Sequence, residues 1–146
     1  MGGYILLTRE FVIRLQNKKK NFALNDYKVF CFNGEPKVTL VCSEQFSGAG
    51  LREDFFDEQW NHVPIKRSGH PNSNTVIPKP LNFEQMKSLA YRLSENIPFL
   101  RVDFYEIDRK LYFGELTFYP ASGFEEFEPN EWDYKFGEWI HLPGRK

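Results

Sequence analysis

Short apolar runs alternate with polar turns along the chain, a pattern typical of antiparallel strands. Residues 4–15 are rich in Ile, Leu, Val and Phe and predict a buried strand that begins almost at the first residue. The runs at 27–32 and 37–42 flank Asn33 and Gly34, a pair that readily adopts the positive φ angles of a tight turn. We therefore predict a β-hairpin between these two runs.

A helix and two further strands are predicted downstream. Apolar residues recur at helical spacing over 83–94, and Asn82 followed three residues later by Gln85 matches a capping pair. Residues 99–107 and 111–119 have the composition of strands. This order of elements predicts an α+β fold, an antiparallel sheet with a packed helix, in a single domain over residues 1–146.

Two stretches have a weaker pattern. Residues 43–80 are interrupted by glycine and proline, with one short strand or turn predicted over 54–60, and a loop this long is usually functional. The last stretch, from residue 125 to 146, is acidic and aromatic. Four of its aromatic residues are expected to cap the core: Trp132, Tyr134, Phe136 and Trp139.

Composition narrows the class of protein. The formal net charge of -1 gives no electrostatic basis for binding nucleic acid or an anionic membrane, and no apolar run is long enough to span a bilayer. Cys31 and Cys42 lack CxxC spacing and do not form a zinc site with the three histidines, so we expect both to be buried and reduced. With no secretory leader in the sequence, we predict a cytoplasmic protein.

Polar residues inside the two late strands are the most informative feature. Alternate residues of a strand share a face, so Arg101 and Asp103 lie together on one strand, and Glu115 and Thr117 on the next. If residues 108–110 form a three-residue connection, Asp103 lies opposite Glu115. A strict two-residue turn instead sends the two carboxylates to opposite faces, unless a β-bulge restores the match.

Two interpretations of these residues remain open. Apposed carboxylates favour a hard cation such as Mg²⁺ between them, and Arg101 is then placed to bind a phosphate oxygen. Alternatively, this is a surface hairpin in which Arg101 pairs with Asp103 or Glu115. Spacing alone favours the second interpretation.

Much of the chain resembles the TupA-like ATP-grasp family, which is associated with bacterial cell-envelope polysaccharide synthesis. The resemblance lies in the segments DYKVFCFNGEPK, FEQMKSLAYRLSE, FLRVDFYEIDRKLYFGELTFYPASGF and EWDYKFGEWIHL. It implies the C-terminal half of an ATP-grasp fold, with ATP and Mg²⁺ as cofactors. The implied reaction is carboxylate–amine ligation, in which ATP activates a small-molecule or glycan-linked carboxylate as an acyl phosphate and an amine attacks it.

The resemblance also assigns roles at the late strands. Asp103 and Glu115 match the metal-binding carboxylates, and Thr117 stands where many ATP-grasp enzymes have a metal-binding Asn. Arg101 resembles the arginine that steadies the transferring phosphate. Ser122 and Gly123 match a small-residue loop that approaches the acyl substrate or phosphate.

Other roles are implied near the start of the chain. Asp26 and Lys28 resemble an acidic and basic pair, with the acid facing ribose and the base facing phosphate or substrate. An ordinary exposed ion pair at a strand start is the alternative. Residues 6–12 resemble the hinge strand whose backbone meets adenine, through Glu10, Phe11 and Val12.

Three functions stay open from the sequence. The first is a partial ATP-grasp ligase, from hinge strand to C-terminus, whose glycine-rich loop and phosphate-binding lysine come from an N-terminal lobe or a partner chain. Such a chain is expected to be inactive alone and to bind Mg-ATP weakly. The second is a non-catalytic binding or scaffold module of the same fold. The third is a glycan-acting enzyme that uses Asp103 and Glu115 as its catalytic carboxyls.

Overall fold

A computed structural model describes residues 24–43, 48 and 50–144 of the chain. The strand predicted over 4–15 and the adenine-binding residues Glu10, Phe11 and Val12 lie outside the described residues. The elements, in chain order, are β1 (Asp26–Phe32), β2 (Glu35–Ser43), β3 (Arg52–Phe56), β4 (His62–Val63), β5 (Lys66–Arg67), α1 (Phe83–Ser94), β6 (Phe99–Ile107), β7 (Lys110–Thr117), a 3₁₀ turn (Pro120–Gly123), β8 (Phe127–Glu128) and α2 (Glu131–Trp139).

Six of the strands form one antiparallel sheet in the order β4-β3-β2-β1-β6-β7, and β5 pairs with β8 in a small separate ribbon. β1 lies inside the sheet and bonds to both β2 and β6. Together with the two helices, this sheet confirms the α+β class. Within the described residues, no helix is long and apolar enough to cross a membrane.

The hairpin β1–β2 is confirmed, with a tighter turn than the apolar runs suggest. Phe32 lies opposite Glu35, so Asn33 and Gly34 alone form the turn, with φ angles of 51° and 85°. β2 therefore begins at Glu35. The register shifts next to Cys31, which lies opposite Pro36, and this irregularity accommodates a proline that cannot donate to the ladder.

Helix α1 has the predicted bounds, but its N-terminus is not held by the predicted capping pair. Asn82 makes no side-chain capping bond. Instead, Glu106 on β6 accepts hydrogen bonds from the backbone N–H groups of Leu81 and Asn82, and from Asn82 Nδ2 at 2.9 Å. Of these donors, the Asn82 N–H is the one that Gln85 would have bound in the predicted capping pair, and the strand carboxylate fixes the start of the helix to the sheet.

The two faces of the sheet pack against different partners. α1 covers one face, and the residues buried there are Tyr27, Val29, Cys31, Val41, Phe56, Ile77, Phe83, Met86, Ala90, Leu100, Val102 and Phe104. On the other face, α2 and β8 cover an aromatic group that comprises Phe30, Phe32, Val38, Leu40, Cys42, Phe55, Ile65, Phe127 and Phe136. Both cysteines are buried and free, as predicted.

α2 is a helix that the sequence pattern did not predict. Phe136 is buried and Trp132 and Trp139 pack against the same core, as expected of capping aromatics. Tyr134 is 76% exposed, so the prediction that it caps the core is wrong. Over about two turns, the helix directs the side chains of 132, 136 and 139 to the sheet and leaves residue 134 on the opposite side.

Candidate functional site

The register of β6 and β7 decides whether the carboxylates meet. Ile107 lies opposite Lys110, so the connection is the two-residue turn Asp108-Arg109, with φ angles of 50° and 66°. The three-residue connection is therefore wrong. The register then shifts between Val102 and Phe104, and beyond this irregularity Arg101 lies opposite Thr117, as a bulge requires.

Gly114 marks the irregular stretch on β7. A Cβ built on this residue would lie 3.1 Å from the Asp103 carbonyl oxygen and 3.1 Å from the Tyr105 ring. The two strands approach closely at this point because residue 114 has no side chain. The bulge restores the face shared by Asp103 and Glu115, as the sequence argument required of a two-residue turn.

Arg101 lies between the two carboxylates. Its Nε donates to Asp103 Oδ1 at 2.8 Å, and its Nη2 donates to Asp103 Oδ2 at 2.9 Å and to Glu115 Oε1 at 3.1 Å. Asp103 is 2% exposed, whereas the Glu115 side chain is 64% exposed. The pairing considered for a surface hairpin is therefore present, but its central carboxylate is deeply buried.

Asp26 and Lys28 join the same group. Lys28 Nζ donates to Asp26 Oδ2 at 2.6 Å and to Asp103 Oδ2 at 2.7 Å. Both side chains of the Asp26–Lys28 pair are only 13% exposed, so the exposed ion pair considered from the sequence is wrong. We call this set the charged cluster; its members are Asp26, Lys28, Arg101, Asp103 and Glu115.

Burial shapes the electrostatics of the charged cluster. It raises the pKa of Asp26 to about 6, although the Lys28 charge acts in the opposite direction. Burial alone would lower the pKa of Lys28, but Asp26 and Asp103 outweigh it and leave that pKa above its ordinary value. Oδ1 of Asp26 is buried without a hydrogen-bond partner among the described residues, so the cluster retains one unused acceptor.

The donor set of the charged cluster is compatible with a hard cation. Asp103 Oδ2 and Glu115 Oε1 both contact the same guanidinium nitrogen, so the two carboxylates converge on one cationic position. Two carboxylates, completed by phosphate oxygens and water, are a usual donor set for Mg²⁺. The described residues contain no group of three or more His, Cys, Asp or Glu suited to a metal.

The structure does not bring every predicted site residue into the charged cluster. Thr117 is half-buried opposite Arg101. Ser122 and Gly123 are exposed in the turn after β7, and the backbone N–H of Ser122 donates to the Tyr119 carbonyl within that turn. Among the described residues, no side-chain hydrogen bond or ion pair joins these three to the charged cluster.

A second group of charges lies on the same face of the sheet and was missed by the sequence reasoning. Arg67 Nη1 donates to Glu53 Oε1 at 2.8 Å, and Arg67 Nη2 lies 2.5 Å from Glu125 Oε1. Glu53 and Phe55 lie two positions apart on β3 and therefore share a face, and the Glu53 side chain is 2% exposed. An acidic residue at an inward strand position was the signal that could have revealed this group.

Two cavities adjoin these charges, and Glu125 lines both. The polar cavity, about 180 Å³, is lined by Arg67, Ser68, His70, Ala121, Phe124, Glu125 and Glu126. The apolar groove, about 400 Å³, is lined largely by aromatic side chains from β1, β6 and α2 and from the segment after β7. The face of the sheet that carries α2 and β8 therefore combines carboxylates, cationic side chains and an aromatic surface.

Comparison with known protein families identifies the class that this fold and charged cluster define. Residues 6–141 match the family model described as TupA-like ATPgrasp. Because the match covers nearly the whole chain, the protein belongs to the TupA-like ATP-grasp family. Searches of curated proteins and of solved structures found no significant match. ATP-grasp proteins generally bind ATP and Mg²⁺.

Proposed function

We propose that this domain supplies the metal and phosphate side of the active site of an ATP- and Mg²⁺-dependent carboxylate–amine ligase. The observation that carries the proposal is the position of the Arg101 guanidinium, within 3.1 Å of both the Asp103 and Glu115 carboxylates. Family membership supports the ATP-grasp class. Carboxylate–amine ligation, the specific reaction, is inferred from the resemblance of Arg101, Asp103 and Glu115 to the phosphate- and metal-binding residues of ATP-grasp enzymes.

Asp103 and Glu115 would hold Mg²⁺, and when bound the ion would neutralise the charge of the nucleotide phosphates. Arg101 and Lys28 are the cations closest to that position, because both donate to Asp103. Their role is to bind and orient phosphate oxygens and to stabilise negative charge as the γ-phosphate moves to the substrate carboxylate. In this proposal Asp26 orients Lys28 and faces the nucleotide ribose.

The ligation requires no covalent bond to the protein. Transfer of the γ-phosphoryl group to a carboxylate releases ADP and forms an acyl phosphate, and attack by an amine forms an amide and releases phosphate. Buried cations positioned beforehand do this work electrostatically. Thr117, Ser122 and Gly123 stay candidate contacts of metal, phosphate or acyl group, because all three adjoin the end of β7.

The proposal extends to pathway and location. We propose cell-envelope polysaccharide synthesis, with a small-molecule or glycan-linked carboxylate as substrate, because the resembled family is associated with that process. A cytoplasmic location would give the site access to ATP. A second lobe, in the same polypeptide or in a partner, would supply the opposite wall of the nucleotide cleft.

The geometry favours a ligase-type site over a glycan-acting enzyme. Glycoside hydrolysis needs two carboxyls that face an open sugar groove. Asp103 contacts both Lys28 and Arg101, two cations that a phosphate-transferring site uses and that glycoside hydrolysis does not need. The scaffold interpretation makes a different prediction from the ligase, because a scaffold needs no nucleotide binding that depends on Mg²⁺.

Nucleotide binding to the full 146-residue chain tests the proposal. We expect ATP to shift backbone amide NMR signals of residues 101–117 in a titration, with an affinity at least tenfold higher in the presence of Mg²⁺. Asp103→Asn removes one metal-facing charge, so it is expected to abolish the Mg²⁺ enhancement. NMR suits this measurement because it detects the weak binding expected of one wall of a cleft.

Asp133→Asn provides the matched control, since Asp133 is an exposed acid on α2. This variant is expected to keep the full Mg²⁺ enhancement. Equal ATP affinity with and without Mg²⁺, or an enhancement that survives in Asp103→Asn, would refute the proposed metal and phosphate site. Circular dichroism of each variant verifies that it is folded.

A further inference from the structure

The polar cavity has walls with more acid than base. Two acids, Glu125 and Glu126, line it beside Arg67, and the one Arg67 guanidinium is shared by the carboxylates of Glu125 and of Glu53, which lies outside the lining. His70 Nδ1 lies 3.8 Å from Glu53, the same carboxylate that already pairs with Arg67. The local charge balance therefore favours a cationic ligand over an anionic one.

Some buried polar atoms of the Arg67 ion pairs lack a hydrogen-bond partner among the described residues. Oε2 of Glu53 is buried without a hydrogen-bond partner among the described residues, and so is Nε of Arg67. Buried polar atoms are normally paired, so two orphans in one ion-pair group indicate that bound water or a ligand completes it. The Glu125 side chain is 11% exposed and lines the cavity itself.

Glu125 also connects this cavity with the rest of the face. It lines the apolar groove as well, where Phe99 and Phe118 supply aromatic surface. Burial raises the pKa of the Glu125 carboxyl, and the positive charges of Arg67 and Arg101 act in the opposite direction. A ligand bound at Glu125 thus has room for an apolar body in the groove that the same residue lines.

We propose that the polar cavity is the acceptor subsite, where Glu125 binds the ammonium group of a primary amine whose carbon skeleton lies in the apolar groove. This inference rests on the proposed ligase function: the bound ammonium group gives one proton to the Glu125 carboxylate, and the resulting neutral amine attacks the activated carboxylate and releases phosphate. It deepens that function by naming the chemical class of the acceptor, a cationic amine with an apolar or aromatic flank. The Glu125 carboxylate binds the ammonium group, and the aromatic side chains of the apolar groove contact the carbon skeleton.

Benzylamine is a suitable probe, because it joins an ammonium group to an aromatic ring, and benzyl alcohol is its neutral counterpart. In NMR titrations of the full chain, without ATP or Mg²⁺, we expect benzylamine to shift backbone amide signals of residues 67–70 and 121–126. Benzyl alcohol is expected to bind at least tenfold more weakly. Glu125→Gln removes the charge but keeps the shape, and it is expected to weaken benzylamine binding at least tenfold.

Two further variants keep the test interpretable if Glu125→Gln folds poorly. Glu125→Asp retains the negative charge and is expected to keep the preference for benzylamine over benzyl alcohol. Glu128→Gln removes an exposed acid that lines neither cavity and should leave the affinity unchanged. Equal affinity for benzylamine and benzyl alcohol, or unchanged benzylamine binding in Glu125→Gln, would overturn the acceptor subsite.

The two proposals fail separately. The amine titration contains no nucleotide or metal, so a negative result beside a normal Mg²⁺-dependent ATP titration rejects the acceptor subsite alone. The converse result, amine binding without Mg²⁺-dependent ATP binding, rejects the ligase site and leaves an amine-binding cavity of another function.

Discussion

At the scale of single residues, Asp26 shows how burial and ion pairing compete. Its carboxylate contacts Lys28 at 2.6 Å, yet desolvation is the larger effect and raises its pKa to about 6. Its Oδ1 atom is buried and has no hydrogen-bond partner among the described residues, which agrees with the dominance of desolvation. Asp26 has the sequence context of a surface ion pair, but it is a buried acid with a raised pKa in the charged cluster.

The raised pKa of Asp26 gives stability a defined pH dependence. The folded state binds this proton more tightly than the unfolded state, whose value is near 3.8, so the stabilisation by protonation is present at low pH. It is lost as pH rises towards and through about 6. Relative to Asp26→Asn, the wild type should therefore lose roughly 1–3 kcal/mol of unfolding free energy between pH 4 and pH 7.

Urea unfolding of both proteins at pH 4, 5, 6 and 7 measures this difference. Asn has nearly the same shape and does not titrate, so subtraction removes the contributions of other groups. A difference that stays constant across this range, or that changes in the opposite direction, would contradict the raised pKa.

At the scale of secondary-structure elements, the β6–β7 hairpin positions the charged cluster through an irregularity. The two-residue turn on its own would have separated Asp103 from Glu115, and the shift of register between Val102 and Phe104 reunites them. The close approach of Gly114 to the Asp103 backbone is part of that irregular stretch. The face shared by the carboxylates thus depends on a residue that has no functional group.

Gly114→Ala tests this dependence. The added Cβ meets the Asp103 carbonyl and the Tyr105 ring at 3.1 Å, so the strands must shift, and we expect a loss of about 1–2 kcal/mol in unfolding free energy. Gly137→Ala is the control, because its Cβ meets nothing within 4 Å in helix α2. Alanine has the higher helix propensity, so this control should gain about 0.5–1 kcal/mol. Urea unfolding compares both with wild type, and a neutral Gly114→Ala would contradict the close packing.

The sequence predicts those elements whose signals are local. The hairpin at Asn33-Gly34 and helix α1 were both predicted, because a turn dipeptide and helical periodicity each act over a few residues. The bulge in β6–β7 was considered only as one possibility, since it depends on contact between two strands. Helix α2 was missed because its few inward aromatic residues were read as composition and not as a periodic face.

The candidate site shows the same limit. Arg101, Asp103 and Glu115 could be found because charges interrupt apolar strands within one hairpin. The Glu53–Arg67–Glu125 group joins β3, β5 and the segment before β8, which no local pattern relates. Glu106, which binds the start of α1, lies 24 residues from Asn82 in the sequence. The capping prediction was wrong because it considered only neighbouring residues.

At the scale of the whole molecule, the two faces of one sheet serve different purposes. The α1 face is an apolar core, whereas the opposite face is apolar at one end and charged at the other. Phe136 holds α2 to the apolar end, through ring contacts with Phe30, Phe32 and Phe127. The shape of the apolar groove therefore depends on how α2 packs against the sheet.

Phe136→Ala should release α2 from the sheet. Removing a buried aromatic ring leaves a cavity, and we expect a loss of about 3–5 kcal/mol in the free energy of unfolding measured with urea. Tyr134→Ala on the same helix is the control. Because the Tyr134 ring is exposed, its removal should change the free energy of unfolding by less than about 0.5 kcal/mol. Similar losses in the two variants would show that α2 is not anchored by its inward aromatic face.

The guanidinium that lies between Asp103 and Glu115 also bears on how the protein matures. Because the chain supplies its own counter-ion to these acids, their mutual repulsion is relieved without any dissolved salt of a metal. If the proposed Mg²⁺ site is correct, the domain should therefore reach its folded state without the metal.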